Sequence, residues 1–305
     1  VGRDWSDPFG GVEDLADGRL RAISEKNLGD DPLRVLRGAR LIATHRLRPD
    51  AETTAASRRV APLVGSAAPE RIRAELEKLL AAAEVRPALL WAARVGVLPA
   101  ALGRALSPAA ALRIASPEAL DAPALSALPG AERLLLRLAL LARGLRLDPA
   151  GAQAWLASRR FSRAQAREVA TLLALSDQAR RAGTDIQKWR WVRDAGARAS
   201  AALRLAALED RPASAARSAL ARRARAARRP PRVTGEDIRE WLGIAPGPRV
   251  GEALAAIEVE GLRGAIRSRA AARKWITKRL PPPSAERTRT VPERKRGPAG
   301  YNSNT

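Results

Sequence analysis

A chain of 305 residues is long enough for about two domains, and its 55 Lys plus Arg against 32 Asp plus Glu leave a formal charge of +23, a positive field that suits a polyanionic partner, nucleic acid first among them. The absence of Cys excludes disulfides, thiolate metal sites and cysteine nucleophiles, and one histidine, His45, builds neither a histidine metal cluster nor the paired His-Asp site of a metal phosphohydrolase. Arg, Ala, Gly and Pro are all abundant, as a GC-rich genome would produce, so part of the charge excess needs no functional reason.

In chain order, Val1–Trp5 offers neither the apolar core of a signal peptide nor an initiator methionine, which reads as a start inside a longer frame or at an alternative start codon. Residues 1–24 are turn-rich. Asp7-Pro8-Phe9-Gly10-Gly11 predicts a tight turn and Arg19–Ile23 one short strand. From there only helices are expected. Asp31-Pro32 opens one running to about His45, with Asp near the N-cap and Pro in the first turn, and a second covers about Asp50–Val64. A third begins at Pro69-Glu70, where apolar residues 72, 76, 79 and 80 recur at helical spacing.

Beyond Arg86, short Leu/Ala helices punctuated by Ser107-Pro108, Ser116-Pro117, Pro129-Gly130 and Asp148-Pro149 predict a stacked helical body to about residue 210. Ala88–Gly103 is broken by Arg94 and Pro99 and is too short to span a bilayer, so no membrane span is expected. A very basic helix is predicted from Arg211-Pro212 to Pro230-Pro231, then a compact unit over Val233–Leu280. Pro281–Thr305 has almost nothing to bury and reads as disordered.

Four segments, in order, resemble one family, the class II tRNA nucleotidyltransferases (CCA-adding enzymes) with their relatives the poly(A) polymerases. Asp7-Pro8-Phe9-Gly10-Gly11-Val12-Glu13-Asp14-Leu15 is similar to the turn that closes that family's catalytic head. Asp30-Asp31-Pro32-Leu33-Arg34, followed by Arg37 and Arg40, resembles its neck motif, with Asp30 where Glu is usual. Pro69-Glu70-Arg71-Ile72-Arg73-Ala74-Glu75-Leu76 resembles the next neck helix, in which Glu70 and Arg71 would buttress the first. Thr234-Gly235-Glu236-Asp237-Ile238, Trp241-Leu242-Gly243 and Pro246-Gly247-Pro248-Arg249-Val250-Gly251 resemble its late segment.

The resemblance implies that Asp31 and Arg34 pair with the Watson-Crick edge of incoming CTP or ATP, and that Arg37 and Arg40 line the same nucleotide pocket. A carboxylate acceptor and a guanidinium fork one turn apart suit a base edge; the same residues also fit a solvated, salt-bridged helix face. Arg217, Arg222, Arg223, Arg225, Arg228, Arg229 and Arg232 fall in a stretch without an acid; all of these but Arg232, with Gly247 and Arg249, are the expected RNA-binding residues. A Gly-rich turn feeding a helix N-terminus offers free N–H groups to phosphate.

The Gly-Ser-x-x-Asp-x-Asp element with which the family binds Mg²⁺ is not found in this sequence, the nearest acidic spacing being Glu258-Val259-Glu260. No catalytic or metal-ligating residue is therefore expected here, and Mg²⁺ would be held by a head that the chain lacks or that a separate gene encodes. The implied fold is all-α, a multi-helical neck, body and tail behind a short β/turn remnant of the head. The expected divisions are 1–28 for that remnant, 29–85 for the neck, 86–210 for the body, 211–280 for the basic helix and tail, and 281–305 for the disordered end. The expected function is nucleotide selection and binding of the tRNA acceptor end in the cytoplasm. Two alternatives stay open, a poly(A) polymerase and a non-catalytic RNA-binding protein.

Overall fold

The computed structural model describes residues 6–182, 185–209, 233–262 and 265–280. The chain divides into two compact units, within Val1–Ala224 and Arg225–Thr305. Both are helical, as the composition predicts. The basic stretch 211–232 and the end 281–305 lie outside the described residues.

The first unit opens with the predicted turn, closed by a Gly10 N–H to Asp7 carbonyl bond of 3.3 Å, and continues into α1 (Gly11–Ala16). The Asp7 carboxylate accepts from the Gly11 and Val12 N–H groups at 2.7 and 2.8 Å, supplying the helix with its first acceptors. The expected strand is shorter than predicted. β1 is Arg19–Leu20, and it pairs in parallel with β2 (Arg48–Pro49), an element the expectation of helices alone omitted. Between them stand α2 (Glu25–Asp30), also not anticipated, and α3 (Leu33–His45), close to its predicted bounds.

Then follow α4 (Ala51–Val60), a 3-10 turn Ala61–Ser66, α5 (Pro69–Ala81), α6 (Arg86–Val95), α7 (Leu98–Leu102), α8 (Pro108–Ala115) and α9 (Pro123–Ser126). The unit continues through α10 (Gly130–Gly144), α11 (Pro149–Ser158), α12 (Arg163–Arg181), α13 (Asp185–Ala195) and α14 (Ala199–Glu209).

Each helix buries the face its spacing marks. Val35, Leu36, Ala39, Ile42 and Ala43 of α3 are buried, as are Ile72, Leu76, Leu79 and Leu80 of α5. Gly38 faces α6, where a Cβ would lie 3.4 Å from the Trp91 ring, about van der Waals contact. Buried apolar residues from Leu28 to Leu205 form one continuous core, so the expected neck–body boundary at 85/86 falls inside that core.

Two arginines of α10, one turn apart, fix the end of α5. Arg133 donates to the Ala81 carbonyl through Nε and Nη2 at 3.0 and 2.9 Å. Arg137, fully buried, donates to the carbonyls of Leu80, Ala82, Ala83 and Leu120 and pairs with Asp121 at 3.2 Å. Asp121 in turn accepts from the Val85 and Arg86 N–H groups, both at 2.8 Å. Orphan carbonyls at a helix C-terminus need such donors, and these hold the α5–α6 turn in place.

The second unit packs α15 (Gly235–Leu242), α16 (Pro248–Leu262) and α17 (Arg269–Arg279) around Ile238, Trp241, Leu242, Ala253, Ile257 and Ile276. Thr234 and Asp237 form a reciprocal capping box at 3.2 and 2.8 Å. The Thr234 N–H, and after it the Arg269 guanidinium, hold the Asp237 carboxyl below its usual range. The carboxylate is the form the fold prefers, so its stabilisation is complete above the unfolded-chain value and is lost as pH falls through the lowered folded value. Thermal melts between about pH 5 and 2 should show Asp237→Asn melting earlier than wild type at the upper end and converging with it in acid. A constant offset between the two across that range would contradict this assignment.

Candidate functional site

The expected nucleotide-pocket residues lie at the α2–α3 junction and along α3, facing α5. Asp31 closes α2 at φ −140° and ψ 88°, neither helical nor extended, and its carbonyl accepts the Arg34 N–H at 3.0 Å, so the two residues sit one turn apart as the sequence predicts. Their side chains do not pair with each other. Asp31 Oδ2 accepts from Arg71 Nη2 of α5 at 2.9 Å. Arg34 Nη1 donates to the Asn27 carbonyl in the last turn of α2.

Both side chains keep hydrogen-bonding capacity. Asp31 is 24% exposed, and among the described residues its Oδ1 has no partner; the same holds for the Nε and Nη2 donors of Arg34. An acceptor and a set of donors therefore remain on neighbouring residues. Chemically, such a pair fits an edge that presents a donor beside an acceptor.

Arg37 and Arg40 share one carboxylate. Glu75 of α5, buried, accepts from Arg40 Nε at 2.7 Å and stands 3.5 Å from Arg37 Nε. Arg40 is the more enclosed of the two, 20% exposed against 44% for Arg37. Arg71 and Glu75 thus meet Asp31 and Arg37/Arg40 with charges reversed, a ladder that fixes α3 against α5. Of the two residues expected to buttress α3, Arg71 does so; Glu70 instead pairs with Arg160 at 3.3 Å. Glu75 is assigned no role by the motif resemblance alone. Its signal was its position one turn beyond Arg71, on the face opposite the α3 arginines.

Of the expected RNA-binding residues, Arg217, Arg222, Arg223, Arg225, Arg228 and Arg229 lie outside the described residues. Gly247 and Arg249 are exposed at the start of α16. A Cβ on Gly247 would meet nothing within 4 Å, so the chain itself does not demand glycine there, and the turn stays open to an approaching group. His45 is an exposed helix residue beside the Thr44 hydroxyl, at 2.7 Å. Among the described residues no group of three or more His, Asp or Glu gathers as a metal site. Nor is any described helix long and apolar enough to cross a membrane.

Residues 46–101 match a family model described as "Probable RNA and SrmB-binding site of polymerase A". A CC-adding tRNA nucleotidyltransferase of Synechocystis sp. is 39% identical over 92 residues, 30% of this chain and 22% of the relative. An A-adding tRNA nucleotidyltransferase of Deinococcus radiodurans is 38% identical over 102 residues, 32% of this chain and 24% of that protein. The matched stretches therefore span about a quarter of these relatives' length. The crystal structure of the Bacillus stearothermophilus CCA-adding enzyme in complex with CTP superposes with a TM-score of 0.67 at 26% identity, covering 90% of this chain and 68% of that one.

Proposed function

We propose, since the chain belongs to the class II tRNA nucleotidyltransferase family and corresponds to its C-terminal portion, that it selects CTP and ATP and holds the acceptor end of tRNA for addition of the 3′-terminal CCA. The observation that supports this most is the free acceptor of Asp31 beside the free donors of Arg34. Cytosine and adenine each place an exocyclic amine next to an unprotonated ring nitrogen. The Asp31 carboxylate accepts from that amine while the Arg34 guanidinium donates to the ring nitrogen. Uracil and guanine present a carbonyl oxygen and an N–H in those places, which sets oxygen against carboxylate and hydrogen against guanidinium. One pair of side chains thereby admits C and A and rejects the other two bases.

Arg37, half exposed and steadied by Glu75, approaches the triphosphate; Arg40, more enclosed, mainly fixes α3. The tRNA lies against the 217–229 arginines and the open turn at Gly247 and Arg249, with contacts to phosphate that are independent of sequence and sensitive to salt. Nucleotidyl transfer itself needs a head carrying the metal-binding carboxylates, and Mg²⁺ supplies the activation of the attacking hydroxyl there. Supplied with such a head, the chain should extend tRNA trimmed of its CCA with C and then A, leaving UTP and GTP unused. A run of A without C would place it with the poly(A) polymerases, whose name the matched family model carries, whereas a single A on tRNA already ending in CC would place it with the A-adding relative. Salt-sensitive tRNA binding without incorporation would make it a non-catalytic RNA binder.

A further inference from the structure

The junction of α11 and α12 carries an arginine cluster to which the reading above assigns no role. α11 ends in a Schellman motif: the Phe161 N–H donates to the Leu156 carbonyl and the Arg160 N–H to Ala157, both at 3.0 Å. The residue forced into the left-handed conformation is Arg160, at φ 62°, where glycine would be the unstrained choice. Its guanidinium reaches out to Glu70, beside the Arg71 that holds Asp31.

Arg163 and Arg167 follow on α12, one turn apart on the same face and both exposed. The first turn of α12 contains no acid, so Arg163 stands where the helix dipole is already positive. The surrounding carboxylates are engaged elsewhere. Glu77 takes Gln165 and Arg73, Glu168 takes Arg198, and Arg163 and Arg167 meet no carboxylate among the described residues.

Arg163 and Arg167, left without a carboxylate beside the Glu70-paired Arg160, fit an anionic occupant that runs across them. Resting on the function proposed above, we infer that Arg160, Arg163 and Arg167 form a phosphodiester-binding surface, which carries the RNA backbone along α12 toward the Asp31–Arg34 site. Charge complementarity sets the partner, and the contact through Glu70 and Arg71 joins this surface to the nucleotide site.

The test uses the full chain and a tRNA transcript ending before its CCA, with anisotropy titrations over a range of KCl. Arg163→Ser/Arg167→Ser should bind about ten-fold more weakly near 0.1 M salt, with the slope of log K against log salt reduced by about 2. Loss of charge at Arg163, in the first turn of α12, does not destabilise the helix, and Ser at 167 lowers helix propensity only slightly, so the melting temperature should stay within about two degrees of wild type while RNA affinity falls. Wild-type affinity and slope in the variant would overturn the surface and leave the nucleotide-selection reading standing. Competition by polyglutamate but not by RNA would overturn it in favour of an acidic protein partner. A wild-type chain that binds no tRNA at all would sink both.

Discussion

Arg137→Met is expected to destabilise the first unit by about 3–5 kcal/mol, the range for breaking a buried ion pair by removing one partner. For a unit of that size this corresponds to a fall in Tm of roughly 10 °C. The side chain is fully buried, and burial pulls its pKa down to about 10, with Asp121 opposing the shift. It still carries its proton at neutral pH. Methionine fills much of the volume but leaves the carbonyls of Leu80, Ala82, Ala83 and Leu120, together with Asp121, without those donors. Arg137→Lys should recover only part of the loss, because an ammonium has three donors at one point where the guanidinium spans five across a plane. Calorimetry decides the matter: a methionine variant melting within a degree or two of wild type would show that the carbonyls find other donors.

This residue also marks a limit on what the sequence discloses. In Leu134-Leu135-Leu136-Arg137-Leu138 the arginine sits among apolar residues, and a basic side chain there reads as a surface interruption. The acceptors that justify its burial come from Leu80, Ala82, Ala83 and Leu120, distant in sequence and brought together by folding. The β1–β2 pairing was hidden for the same reason. It joins Arg19-Leu20 to Arg48-Pro49 across two helices, and neither dipeptide carries a periodicity of its own. α1 and α2 are six residues each, too short for a 3.6-residue repeat to be seen.

By contrast, α3 and α5 were readable because their apolar residues recur over several turns and bury as the spacing demands. At the candidate site, the one-turn placement of Asp31 and Arg34 was legible from their separation in sequence. The reversed charges of Arg71 and Glu75 opposite them depend on how α5 lies against α3, and only the folded chain displays that. In sequence the arginines of α12 are outweighed by the denser 217–232 stretch, and only the fold shows Arg163 and Arg167 on one exposed helix face.

The largest functional effect is expected at Arg34. If its free donors read the ring nitrogen of C and A, Arg34→Ala removes one hydrogen-bonding partner of the base and leaves Asp31 held by Arg71. A good bidentate base contact is worth about 1–3 kcal/mol of discrimination, or roughly 5- to 150-fold. The variant should therefore lose its preference for C and A over U by a factor in that range. The bond from Arg34 to the Asn27 carbonyl is also lost, at a cost near 1 kcal/mol that appears in Tm and not in nucleotide choice.

The measurement that bears most directly on this account is nucleotide choice by Arg34→Ala in an assembly supplied with a catalytic head, read beside the Kd for trimmed tRNA. The account predicts that the exclusion of UTP and GTP weakens by roughly 5- to 150-fold, while tRNA affinity stays near wild type. Parallel loss of activity and tRNA binding with the choice of base unchanged would contradict it, and would leave Arg34 as the donor that closes α2 and nothing more.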